Sequence, residues 1–190
     1  MAKANTPKKV VTPVTLKVTL RGSTPPIWRR LVVPGNFTLG RLHLVIQIAM
    51  GWKGGHLHEF TISGEQYGDP QWSDDVENEN RMTLAKLVQG GVTRFGYTYD
   101  FGDDWDHVIT LEKKLWLLPP GAAPLCIGGE RNCPPENCGG VWGYESLIQI
   151  MADPKHPEHA EMADWLEEEL DPEAFDITTI NLALAGCFTD

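Results

Sequence analysis

VTLKVTL (residues 14–20), IWRRLVV (residues 27–33), LGRLHLVIQIAM (residues 39–50) and LHEFTI (residues 57–62) follow one another early in the chain, and their side-chain periods decide the fold. The first alternates apolar and polar residues, as a strand does with one face on a core and the other in water. Gly22 to Pro26 supply turn chemistry, and Ile27 to Val33 returns as a β-branched run that closes a hairpin. From Thr38 the period lengthens: Leu39, Leu42, Val45, Ile46 and Ala49 share a helical face, with Thr38 as N-cap and Gly51 beyond the end. Residues 57–62 alternate again, with His56, His58, Phe60 and Ile62 on one face. The order strand, strand, helix, strand predicts an α+β fold with a β-grasp-like core.

Further along, residues 64–82 are rich in Gly, Asp, Asn, Glu and Ser and read as a long exposed loop. A short helix is expected over Leu84–Val88, capped by Thr83 and stopped by Gly90-Gly91. Phe95, Tyr97, Tyr99 and Phe101 alternate on one strand face, as do Trp105, His107, Ile109 and Leu111, which predicts a second hairpin turning at Gly102-Asp103-Asp104. Residues 119–140 hold five prolines, five glycines and three cysteines and read as an ordered loop. Two C-terminal helices follow, one around Tyr144, Leu147, Ile148 and Met151, the other an acidic helix over 161–169 that ends the regular structure. Residues 1–13 are expected to form a flexible tail, and residues 14–190 a single compact domain.

Composition bounds the function. The chain has 190 residues, 42% apolar and 22% charged, which suits a globular body with a substantial core. A net charge of −10 repels nucleic acid and anionic lipid on average, so nucleic acid is the least favoured partner. No apolar run has the roughly 18 residues a membrane-spanning helix needs. Lys3, Lys8 and Lys9 are followed by Pro7 and Pro13 rather than the apolar stretch of a secretory signal, so a cytoplasmic location is expected. The four cysteines are then expected as thiols or metal ligands, not disulfides.

Three constellations carry candidate chemistry. Cys126, Cys133 and Cys138 sit in a stiff loop and offer soft ligands for zinc, with His56, His58 or Cys187 completing a tetrahedron. The competing reading is of small thiols packing the loop onto the core, because no CxxC pair is present. His56 and His58 share a strand face and suit either one ion or separate hydrogen-bonded positions at the core margin. Around the second hairpin, Tyr99, Asp103, Asp104, Trp105, Asp106 and His107 form an aromatic and acidic turn suited to ligand contact. Arg29 or Arg30, or a bound cation, would relieve its charge. Walker, dinucleotide-binding, nucleophile-elbow and HExxH motifs are missing.

Several ordered blocks together resemble the Ri-plasmid ORF-three-like family: IWRR (residues 27–30), HLHEF (residues 56–60), YDFGDDWDH (residues 99–107), CPPENCGG (residues 133–140) and Trp142-Gly143-Tyr144. The resemblance covers roughly residues 14 to 184. It implies an α+β fold and kinship with proteins of uncharacterised function, some bearing a transposon-resolvase label. The sequence does not support that label. A serine recombinase needs a nucleophilic serine among arginines and a helix-turn-helix. The family commonly carries Asp where this chain has Asn137, which weakens any role for a carboxylate there. The expectation is a non-catalytic interaction module for a protein or small ligand, with a zinc-binding protein or metal-dependent hydrolase as the alternative.

Overall fold

In a computed structural model, residues 11–114, 116–166 and 169–188 are described, and one eight-stranded sheet organises the chain. Its strands are β1 (Pro13–Leu20), β2 (Trp28–Pro34), β3 (His58–Ile62), β4 (Glu65–Gly68), β5 (Glu77–Asn78), β6 (Arg94–Tyr99), β7 (Trp105–Glu112) and β8 (Leu125–Glu130). They lie in the order β5-β4-β3-β6-β7-β1-β2-β8. All neighbours pair antiparallel except β4 and β5. Among the described residues, five helices complete the α+β body: α1 (Leu39–Met50), α2 (Leu84–Gln89), α3 (Gly140–Ala152), α4 (His159–Trp165) and α5 (Ile177–Phe188). Most of the expected tail, residues 1–10, lies outside the described residues. No described helix is long and apolar enough to cross a membrane.

The strand, strand, helix, strand order of the first 62 residues stands, and the second hairpin, β6–β7, inserts in the sheet between β3 and β1. Period-two alternation aims Leu16, Val18, Ile27, Leu31, Phe60, Tyr97, Trp105 and Ile109 at a core from which solvent is excluded. Helix α1 lies on this face, contributing Leu39, Leu42, Val45 and Ile46. Each such side chain contributes about 1.5–3 kcal/mol when fully buried. The helix starts where Thr38 Oγ1 accepts the Arg41 N–H at 3.3 Å, and stops where Gly51 turns left-handed at φ 91°.

Four segments depart from the sequence expectation. The segment 64–82 is not all exposed loop. It contains β4, β5 and a 3-10 turn (Glu79–Arg81) that buries Glu79 against α1. An edge strand, β8, runs through the Gly/Pro-rich stretch, because pairing with β2 organises residues whose own pattern is irregular. Helix α4 stops at Trp165, short of the acidic helix expected over 161–169. Residues 167–168 lie outside the described residues. A further helix, α5, follows and packs on β8, where the Asn181 amide accepts the Cys126 N–H at 2.7 Å and donates to the Cys126 carbonyl at 2.9 Å. One side chain thus satisfies backbone groups that an edge strand would leave open.

Candidate functional site

Two polar side chains interrupt the buried face of α1: His43 and Gln47, four residues apart. Both are buried, and both meet Tyr97 rising from β6. The Tyr97 hydroxyl receives Gln47 Nε2–H at 2.9 Å and shares a hydrogen bond of 2.8 Å with His43 Nδ1. On the next strand, His58 stacks flat on His43, with centroids 3.5 Å apart and planes inclined by 6°. Its Nε2–H donates to Glu79 Oε2 at 2.8 Å. Burial, and secondarily the charge His58 can carry, push the His43 pKa down to about 3, so His43 stays neutral.

Gly40 makes room for this pair. A Cβ there would lie 2.7 Å from Glu79 Oε1 and 2.7 Å from Asn80 Oδ1. The Glu79 carboxylate therefore sits against the first turn of α1, where the helix dipole favours negative charge.

Above this floor opens a cleft of about 870 Å³, with His43, His58 and Glu79 at its base and the Gly54-Gly55 loop in its wall. Four large apolar side chains form the rim, each strongly exposed: Leu44 51%, Leu57 42%, Trp72 71% and Phe101 56%. Trp72 stands in the segment between β4 and β5, and Phe101 in the β6–β7 turn. The cleft thus joins an apolar rim to a polar, hydrogen-bonded floor.

The residues singled out in the sequence fall in different places. The zinc set is not assembled: among the described residues, no three His, Cys, Asp or Glu side chains converge on one metal position. Cys126 lies on β8 and Cys133 and Cys138 flank the CPPENC loop, whereas His58 belongs to the cleft floor. His56 precedes β3 instead of sharing its alternation, and its Nδ1 is 3.6 Å from Asp100 Oδ2. Cys187 is exposed on α5. Burial raises the pKa of the Cys126 and Cys133 thiols, and burial with the nearby Asp103 carboxylate pushes Cys138 up to about 12. Protonated thiols of this kind pack as small apolar groups.

The aromatic and acidic turn is divided: its aspartates stay half-buried (Asp103, Asp106) or exposed (Asp104), while its ring side chains face inward. Tyr99, Trp105 and His107 are fully buried, so they are core residues and not an exposed contact surface. Tyr99 donates to Glu136 Oε1 at 2.5 Å, and burial together with that carboxylate raises its pKa. Burial lowers the pKa of His107 to about 4, and its Nδ1–H points to the Tyr97 carbonyl at 3.3 Å. Asp103 Oδ2 accepts the Gly139 N–H at 3.3 Å, at the head of α3, and Asp106 pairs with Arg21 at 3.2 Å. Asp104 takes a left-handed turn conformation at φ 54°.

The arginines also find internal partners. Arg29 is buried, donating from Nε to the Ala49 carbonyl at 2.9 Å and from its guanidinium to the Trp28 and Glu130 carbonyls at 2.9 and 3.0 Å. Arg30, on the opposite face, meets both Glu112 oxygens at 3.0 Å and lies over Trp28. The two blocks YDFGDDWDH and CPPENCGG are therefore latches. Tyr99, Asp103 and Trp52, whose Nε1–H donates to the Pro134 carbonyl at 3.0 Å, hold the cysteine loop on the sheet.

Residues 12–179 match the sequence model of the plasmid pRiA4b ORF-3-like protein family. The chain belongs to that family. Among relatives of this plasmid pRiA4b ORF-3-like protein, a Sinorhizobium fredii (strain NBRC 101917 / NGR234) protein described as uncharacterized protein y4hQ is 38% identical over 179 residues. That alignment covers 92% of each chain. A crystal structure of a protein of unknown function, MM3350 from Methanosarcina mazei Go1, superposes with a TM-score of 0.81 at 36% identity. It covers 89% of this chain and 97% of that one. The ORF-3-like family thus supplies kinship and fold, and neither relative's description assigns an activity.

Sequence reasoning missed His43, Gln47, Trp72 and Glu79. The first two left a signal, a polar pair at i and i+4 among the apolar residues of one helical face. Glu79 left none, since only the 3-10 turn carries it to His58.

Proposed function

We propose that the protein is a non-catalytic binding module whose ligand is a small organic molecule seated in the cleft between α1 and the β4–β5 segment. The observation that carries this reading is the gathering of Leu44, Leu57, Trp72 and Phe101, all exposed, around one concavity with a polar floor. Isolated exposed apolar residues are ordinary, whereas a contiguous group around a concave site favours a ligand. The volume of about 870 Å³ falls within the roughly 300–1,000 Å³ range of small-molecule sites, which favours a compact ligand over a flat protein partner. The floor groups are already bonded to one another, an arrangement suited to orienting a ligand.

A fragment library screened by heteronuclear NMR tests the reading. Binders are expected to perturb the Trp72 indole N–H and the Leu57 and Phe101 amides, and Trp72→Ala is expected to weaken them. Binders that map to the cysteine loop instead, or turnover found by substrate profiling, would overturn it.

A further inference from the structure

The floor of the cleft carries two ring nitrogens that the fold leaves open. His58 donates its Nε2–H to Glu79 Oε2 at 2.8 Å. A carboxylate only accepts, so a neutral His58 keeps an acceptor lone pair on Nδ1. Among the described residues nothing bonds that Nδ1, yet it retains accessible surface, in a side chain that is 12% exposed and lines the cleft. His43 repeats the arrangement. Its Nδ1 is taken by Tyr97, while its Nε2 is unbonded among the described residues and keeps accessible surface, in a cleft-lining residue only 9% exposed. Polar atoms set this deep are normally bonded, to protein, water or ligand.

The stacking of the two rings limits what can meet them. Imidazole lone pairs lie in the ring plane, so rings inclined by only 6° with centroids 3.5 Å apart do not aim at one metal ion. An anion would meet like charge, since Glu59, Asp69 and Glu79 all line the cleft. A neutral hydroxyl suits both nitrogens, because one oxygen can donate to His58 Nδ1 and accept from His43 when Nε2 carries its proton. The rim supplies the complementary surface: Trp72 and Phe101 offer aromatic rings, and Leu44 and Leu57 offer aliphatic area.

We propose that the ligand is a neutral hydroxyaromatic molecule of the phenol class, its ring held by the apolar rim and its hydroxyl hydrogen-bonded at His58 Nδ1 and His43 Nε2. This inference rests on the cleft being the ligand site and adds its chemical class. A site built to bond a hydroxyl rejects the analogue that lacks the donor, because its own polar atoms are then left unpaired.

Three probes of similar shape decide it on the full chain: para-cresol, its methyl ether and para-toluate. Each is titrated at about pH 8, above the ordinary histidine range, while the Trp72 indole N–H and the histidine ring nitrogens are followed by NMR. The cresol is expected to bind about tenfold more tightly than the ether, which has lost the donor, and para-toluate to give no saturable shift. Only the cresol should move the His58 Nδ1 resonance upfield, as an acceptor nitrogen does on receiving a hydrogen bond. Trp72→Ala, at a residue 71% exposed, should weaken cresol and ether alike by several-fold at an unchanged melting temperature. An ether that binds as tightly as the cresol, a preference for para-toluate, or a His58 Nδ1 signal unmoved at saturation overturns the hydroxyaromatic class and leaves the cleft standing as a ligand site. No shift at Trp72 with any probe, or full affinity in Trp72→Ala, overturns the class and the site together.

Discussion

Replacing Arg29 with methionine should destabilise the fold by about 2–4 kcal/mol, because it leaves buried carbonyls without their charged donor. Three backbone oxygens, from Trp28, Ala49 and Glu130, depend on that one guanidinium. Arg29→Lys should recover little of the loss, since an ammonium lacks the planar fork that reaches all three. Urea unfolding of the two variants checks both statements. A second expectation concerns pH. His43 and His107 have folded pKa values lowered to about 3 and about 4, while the unfolded chain protonates histidine near its usual 6.5. Between those limits the unfolded state binds more protons, so stability falls as pH drops from about 6.5 towards 4. The loss approaches about 1.4 kcal/mol per pH unit for each histidine. Urea midpoints measured from pH 7 to pH 5 should follow that slope, and His107→Gln should flatten it.

At the level of elements, legibility followed locality. Strands β1, β2, β6 and β7 and helices α1 and α2 could be read because each has a period of its own and, for the helices, caps at Thr38 and Thr83. Strand β8 could not, since its register comes wholly from β2 and includes an irregularity between Arg30 and Leu31. Helix α5 opens on the β-branched run Ile177, Thr178, Thr179 and Ile180, residues of modest helix propensity, and it buries only Leu184 fully. The candidate site was half visible for the same reason. His58 stands in a clear strand, but its carboxylate arrives from a 3-10 turn 21 residues on. Among these elements, the head of α3 is the most exacting. A Cβ at Gly143 would lie 1.9 Å from the Cys138 carbonyl oxygen, so Gly143→Ala must displace the helix or the cysteine loop. Its melting temperature should drop sharply, whereas Gly186→Ala on α5, where a Cβ meets nothing within 4 Å, should be neutral or slightly stabilising.

For the molecule as a whole, a single sheet links elements from Pro13 to Glu130, and α1, α5 and the latched cysteine loop all pack on it. Such a body should unfold in one transition. Tryptophan fluorescence and far-UV circular dichroism are expected to give superimposable urea curves, and a separate early phase in either would contradict a single core. The cover that Asn181 gives to Cys126 has a consequence during synthesis. The two residues are 55 positions apart, so at about 5–20 residues per second the ribosome delivers the strand roughly 3–11 seconds before its cap. During that interval the nascent chain presents a bare hydrogen-bonding ridge to its neighbours on a polysome. Aggregation at high expression should therefore respond to translation speed and to co-expressed chaperones more than to the stability of the finished fold.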